Sequence, residues 1–262
     1  MMAYKGYMID LDGTIYRGKE KIAAAKRFVE SLQARNIAFL FVTNNTTKMP
    51  KDVVANLANN FDIHVTEKEV YTAALATADY LDSLDSNKKS VYIIGEHGLK
   101  QAIMDKNFVV EETTPDYVIV GLDSDVTYHK FEMATLAIKR GAKFIGTNAD
   151  TNIPNERGLL PGAGSLVRMV ECTTQQEATY IGKPETIIME EALLRLGLEK
   201  SEVVMVGDNY MTDIMAGINF GVDTMLVYTG VSTKELVASK PVQPTIQMDS
   251  LDDWDFDNDR TR

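Results

Sequence analysis

The stretch YMIDLDGTIYRG (7–18) opens like a strand entering a core and then sets two carboxylates, Asp10 and Asp12, two residues apart. In an extended chain positions i and i+2 point to one side, so both charges face the same way. Taken alone, the stretch reads equally well as a capped turn, because Asp-Gly is a common turn dipeptide. The rest of the chain decides between the two.

Short apolar runs alternate with amphipathic stretches almost throughout, which predicts an α/β architecture. The strand candidates are GYMID (6–10), IAFLFVT (37–43), SVYIIG (90–95), DYVIVG (116–121), KFIGT (143–147), ATYIG (178–182), EVVMVG (202–207) and DTMLVY (223–228). After the first of them, Ile22, Ala25, Phe28, Val29 and Leu32 share one helical face, with a stop at Asn36. A similar helix over 190–198 closes near Gly197, and helices are expected around 50–59 and 68–83. Four of the strand candidates run into polar residues. GYMI leads to Asp10 and Asp12, IAFLFV to Thr43, Asn44 and Asn45, ATYIG to Lys183, and EVVMVG to Asp208 and Asn209, with Asp213 close behind. Strands buried on both faces of a parallel sheet read as continuous apolar runs, and ligands bind at the carboxyl edge of such sheets. Four polar tips at one edge outweigh the turn reading.

Spacing divides the chain. Asp12 and Thr43 leave room for one helix and its loops, whereas the segment between Thr43 and Lys183 is far longer than one crossover needs. A catalytic core of residues 1–85 and 178–262 is expected, with 86–177 as an inserted α/β domain joined through SNKKS (86–90) and TTQQE (173–177). Such an insertion would act as a lid, with the loop near 147–164 facing the leaving group.

Composition narrows the function classes. A hydrophobic share of 45% and a charged share of 25% suit a globular protein, and a net charge of −11 argues against a nucleic-acid partner. No apolar run is long enough to span a bilayer, and no long one precedes Asp10. Neither a membrane span nor a secretion signal is therefore expected, and the cytoplasm is the expected compartment. The single cysteine, Cys172, follows an apolar helical run and is expected to be a buried or half-buried, passive thiol. The acidic tail 249–262 is expected to fray at its end, with Trp254 docking it, and Asp123 and Asp125 read as surface or cap-face charges.

Four carboxylates at one edge repel each other and call for a counter-cation. Lys183 supplies one charge, and an all-oxygen donor set points to a hard ion, Mg²⁺. Zinc is disfavoured because His64, His97 and His129 are scattered, and a calcium loop fails because the chain has Ile15 and Lys21 where Gly and Glu are required. A cation, a lysine and a carboxylate nucleophile suit phosphoryl transfer. Asp10 can attack phosphorus, Asp12 can handle the leaving group's proton, Thr43 and the amides after it can hold phosphate oxygens, and Asp208 can ligate the metal.

DLDGT (10–14), TNN (43–45), GKP (182–184) and GDNYMTD (207–213) together resemble the four ordered motifs of the haloacid dehalogenase-like phosphatases. The long insertion, with GLDSDVTYHKF (121–131) and TNADTNIPNERGLLPGAGS (147–165), resembles that of the NagD-like subfamily. The resemblance implies a Rossmann-like parallel-sheet core with an inserted α/β cap and Mg²⁺-dependent hydrolysis of small phosphomonoesters through an aspartyl-phosphate. By motif match it makes Asp10 the nucleophile and Asp12 the acid/base and a metal ligand, alongside Asp10 and Asp208. Thr43, Asn44 and Lys183 would bind phosphate, and Asn209 and Asp213 would support the metal and the lysine. The partner implied is a small phosphorylated metabolite, with the enzyme a monomer or homodimer. A phosphomutase usually carries a small cap after the first motif, for which there is no room. A non-catalytic sensor predicts the loss of Asp10, Asp12, Lys183 or Asp208, all of which are present.

Overall fold

The computed structural model describes residues 4–85, 87–155 and 157–257. Ser86 of the expected SNKKS connection and the tail beyond 257 lie outside them. The chain divides into two compact units. Met1–Thr43, Pro50–Tyr71 and Lys183–Arg262 make the first, and Asn44–Met49 with Thr72–Gly182 make the second.

The first unit opens with β1 (Gly6–Ile9), a hairpin of β2 (Tyr16–Arg17) and β3 (Glu20–Lys21), α1 (Ala23–Ala34), β4 (Ala38–Thr43), α2 (Pro50–Phe61) and β5 (Val70–Thr72). The second unit follows with α3 (Ala73–Ser83), β6 (Ser90–Ile94), α4 (His97–Met104), β7 (Val109–Val110), β8 (Tyr117–Val120), α5 (Tyr128–Lys139) and β9 (Lys143–Gly146). It ends with a hairpin of β10 (Asn152–Asn155) and β11 (Gly158–Pro161), α6 (Ala163–Thr174) and β12 (Thr179–Tyr180). The first unit then resumes with α7 (Thr186–Leu196), β13 (Val203–Gly207), a π-helical turn (Tyr210–Ile214), α8 (Met215–Phe220), β14 (Asp223–Val227), α9 (Lys234–Ala238) and β15 (Ile246–Met248).

The first unit is built on a six-stranded sheet in the order β15-β14-β13-β1-β4-β5. β1 pairs in parallel with both β13 and β4, Ile9 lying opposite Val206 and Phe41. Every residue of β1 is buried, as the unbroken apolar run required. Alternation then sorts its side chains. Tyr7 and Ile9 join a core with Phe28, Phe41, Leu57 and Val206, while Met8 between them faces the other side of the sheet. Each such side chain contributes roughly 1.5–3 kcal/mol. The predicted face of α1 is the buried one, and the chain leaves it through Asn36 at φ 53°, a left-handed stop that asparagine tolerates. The C-terminal segment closes this core. Trp254 stacks on Tyr4, its Nε1 donates to the Tyr7 hydroxyl at 3.0 Å, and Phe256 packs against Phe28.

The second unit has its own five-stranded sheet, β12-β9-β8-β6-β7, and its own core of Ile94, Val118, Phe131, Ile138, Phe144 and Val167. Four expectations need correction. ATYIG does not join the sheet of β1; β12 pairs in parallel with β9 at the edge of the second sheet. The expected helix over 68–83 is a 3-10 turn, the strand β5 and then α3, with the Thr72 hydroxyl accepting from the Leu75 amide to start the helix. Cys172 is exposed on α6, because the buried face of that helix is set by Val167, Val170 and Thr174. Asp123 is buried, its charge met by Lys130 at 2.9 Å and by the Asp125 amide. The long segment of the second unit runs from Thr72 to Gly182, and α3 packs on α4 within it.

Candidate active site

Three strands of the first unit, β1, β4 and β13, end side by side, and their carboxyl ends carry Asp10, Thr43 and Asp208. The fourth tip arrives from outside the sheet. Lys183 follows the second sheet's β12, precedes α7, and is 1% exposed. Its Nζ donates to Asp10 Oδ1 at 2.6 Å and to Asp213 Oδ1 at 2.7 Å, so one ammonium joins two buried carboxylates. Burial works against the charge on Lys183, yet the two carboxylates hold its pKa above the usual lysine value. For Asp10 burial is the largest influence and pushes its pKa well above the carboxylate range, against the pull of Lys183.

Asp208 completes the cluster. Oxygens of Asp10, Asp208 and Asp213 all lie within 4.8 Å of one another. Burial and the neighbouring Asp213 push Asp208 up to about 6, opposed by the Val231 amide and the Thr14 hydroxyl. Those donors reach both of its oxygens, Val231 N–H to Oδ2 at 2.7 Å and Thr14 Oγ1 to Oδ1 at 3.0 Å. The space around this carboxylate is closed by glycine. A Cβ on Gly13 would collide with Asp208 Oδ2, and one on Gly230 would do so more severely. Gly13 also has φ +98°, so it both makes the turn and clears the site.

Asp213 is committed to the lysine. Its Oδ1 accepts from Lys183 and its Oδ2 from the Asn209 amide at 3.0 Å, while Asn209 Oδ1 accepts from the Met211 amide and starts the π turn. Asp12 is exposed beyond β1, and its Oδ1 accepts from the Gly18 amide at 3.3 Å, which ties it to the β2–β3 hairpin. Thr43 is buried at the last position of β4. Asn44, one residue on, belongs to the second unit, where its Nδ2 donates to Asp150 and its carbonyl accepts from Asn148. Thus Asp10, Lys183, Asp208 and Asp213 stand in one buried cluster with Asn209 bonded to it. His64 and His129 pair instead with nearby acids on the surface.

Three buried carboxylates against one ammonium leave an excess of negative charge, and the donor set is entirely oxygen. That set fits a hard divalent cation held by this cluster, in which Lys183 and the Asn209 amide engage both oxygens of Asp213.

The segment Thr229–Ser232 was not legible as part of the site. It supplies main-chain donors, which leave no mark on a sequence; only the apolar strand β14 running into Tyr-Thr-Gly-Val-Ser hints at a fifth tip.

A haloacid dehalogenase-like hydrolase family model matches residues 7–109, and a second HAD-hydrolase-like model matches 180–254. The chain is 50% identical over 254 residues to the 5'-nucleotidase YutF of Bacillus subtilis, covering 97% of this chain and 98% of that protein. The chain belongs to the haloacid dehalogenase-like hydrolases. This hydrolase is also 50% identical over 254 residues to an acid sugar phosphatase of Staphylococcus epidermidis, covering 96% of each chain. Its fold matches NagD from E. coli K-12 with a TM-score of 0.92 at 30% identity, over 97% of this chain and 100% of that one. It is a NagD-like phosphatase of the haloacid dehalogenase-like family, with the mixed α/β fold of its relatives. Among the described residues, no helix is long and apolar enough to cross a membrane.

Proposed function

We propose that this phosphatase hydrolyses small phosphomonoesters through an aspartyl-phosphate on Asp10, with Mg²⁺ as its metal. The buried Lys183 bridge between Asp10 and Asp213, beside Asp208, carries the reading. Lys183 holds Oδ1 of Asp10, which leaves the other oxygen to form the bond to phosphorus as the ester bond breaks. Asp12, exposed and steadied by the Gly18 amide, gives its proton to the departing alcohol oxygen. It then takes a proton from the water that attacks the acyl-phosphate, which releases inorganic phosphate and restores the Asp10 carboxylate. Thr43, Asn44 and Lys183 bind the phosphoryl oxygens, and Asn209 and Asp213 keep the lysine in place. Mg²⁺ would be held by the carboxylates of Asp10 and Asp208 and the main-chain carbonyl of Asp12, where it supplies positive charge opposite the phosphoryl group. Residues 1–85 and 178–262 form the catalytic core in this reading, and 86–177 the cap that sets substrate size.

The relatives named for 5'-nucleotides and for sugar phosphates support those two classes as substrates here. A panel of nucleoside monophosphates and sugar phosphates, assayed with Mg²⁺, tests the proposal. Asp10→Asn is expected to lower kcat by at least about 100-fold, and EDTA to abolish turnover until Mg²⁺ is restored. Phosphate release that survives Asp10→Asn would overturn the covalent route.

A further inference from the structure

The loop after β14 is bonded to both halves of the carboxylate cluster. The Thr229 hydroxyl donates to the Gly13 carbonyl at 2.6 Å, and the Arg17 guanidinium donates to the Thr229 carbonyl. Two residues further on, the Val231 amide donates to Asp208 Oδ2 at 2.7 Å and the Ser232 amide to the Asp208 carbonyl at 3.1 Å. Ser232 Oγ in turn accepts from the Tyr210 amide at 2.8 Å. Gly230 between them passes so close that any side chain would strike Asp208. One short segment thereby grips the nucleophile loop at Gly13, the hairpin at Arg17 and the Asp208 loop at three places.

We infer that Thr229 is a positioning residue for the metal ligands. Gly13 sits at a left-handed φ, and its carbonyl orientation fixes the peptides on either side. On one side is Asp12, whose carbonyl is a ligand in the reading above, and on the other is Thr14, whose hydroxyl holds Asp208 Oδ1. A hydroxyl on the Gly13 carbonyl therefore sets the distance between the two loops that must grasp one ion. Hydrogen-bond partners of metal ligands typically govern metal affinity by about 10–100-fold. This inference rests on the Mg²⁺ reading of the site.

Calorimetric titration of the full chain with Mg²⁺ tests it, beside the Mg²⁺ concentration that half-saturates turnover. Thr229→Val keeps the shape and removes the donor. It is expected to weaken Mg²⁺ binding about 10-fold and to raise the half-saturating concentration equally, with substrate KM at saturating Mg²⁺ within about 2-fold of wild type. Thr229→Ser restores the hydroxyl and should recover the affinity. Arg17→Gln, at an exposed position that folding tolerates, should weaken Mg²⁺ binding in the same direction. Unchanged Mg²⁺ affinity in Thr229→Val and Arg17→Gln would overturn the inference, as would failure of serine to rescue. Wild-type protein that takes up no Mg²⁺ at all would overturn the metal reading beneath it, a result visible before any variant is made.

Discussion

Lys183 has almost no exposed surface and two carboxylates for partners, so its removal is more than the loss of one positive charge. Lys183→Met would strand Asp10 and Asp213 as buried unpaired charges, at a cost of about 3–5 kcal/mol near pH 7. Urea unfolding should show the deficit shrinking as pH falls, because Asp10, whose pKa burial raises, then takes up a proton in the folded state; a deficit independent of pH would argue against stranded charge. Asp208 gives a second pH signature. Its folded value of about 6 exceeds its unfolded value of about 4, so between these the native state binds a proton that the unfolded chain does not. Stability of the metal-free protein from this group therefore falls as pH rises from about 4 to about 6. Mg²⁺ competes for the same carboxylate, so the Mg²⁺-induced rise in Tm should be larger at pH 7.5 than at pH 5. Equal shifts at both pH values would contradict it. At this scale Asp10, Lys183 and Asp208 were legible because each follows an apolar run, and Asp213 because it stands a few residues beyond one. Thr14, Thr229 and the Val231 amide were not, since a threonine or a peptide group in a loop has no sequence pattern of its own.

Elements show the same contrast between what periodicity encodes and what pairing decides. Gly197 ends α7 at φ 66° with nothing within 4 Å of where a Cβ would stand, as a helix stop should. Gly197→Ala is expected to cost about 1 kcal/mol of stability with activity unchanged. Gly230→Ala drives its methyl into Asp208 Oδ2, so the same added carbon should lower activity at least about 10-fold while Tm moves little. A thermal scan beside a kinetic assay separates the two, and equal effects would refute the close approach at Gly230. Helix faces and stops at Asn36 and Gly197 were readable from the sequence because they depend on local chain geometry. The sheet to which ATYIG belongs was not readable, because an apolar run of that length fits beside β13 as well as beside β9. The strand β5 was hidden for a related reason: buried Val70 stands three and four residues before the buried Ala73 and Ala74 of α3, which is the spacing of a helix face.

Across the molecule, the chain passes between its two units at 43/44, 49/50, 71/72 and 182/183. The first unit is therefore assembled from distant parts, and its central strand β1 pairs with β13, which the chain reaches only after completing the second unit. Trp254 secures this arrangement from the far end through Tyr4 and Tyr7. Trp254→Ala should destabilise the first unit by about 2–3 kcal/mol, because the ring is half-buried, and should leave kcat/KM unchanged. Loss of activity in proportion to loss of stability would show that the segment does more than close the core.

The same wiring sets an order of events during synthesis. A nascent chain that has just delivered Gly182 holds every residue of the second unit, with its five-stranded sheet and its own core, yet lacks β13, β14 and β15. Domains fold as units as they emerge. The second unit can thus settle while β1 waits, its apolar run flanked only by β4, until the ribosome has made the remainder of the first unit. Asp10 precedes all of this in the order of translation, but the cluster around it closes only when Asp208, Asp213 and then the Thr229–Ser232 loop arrive.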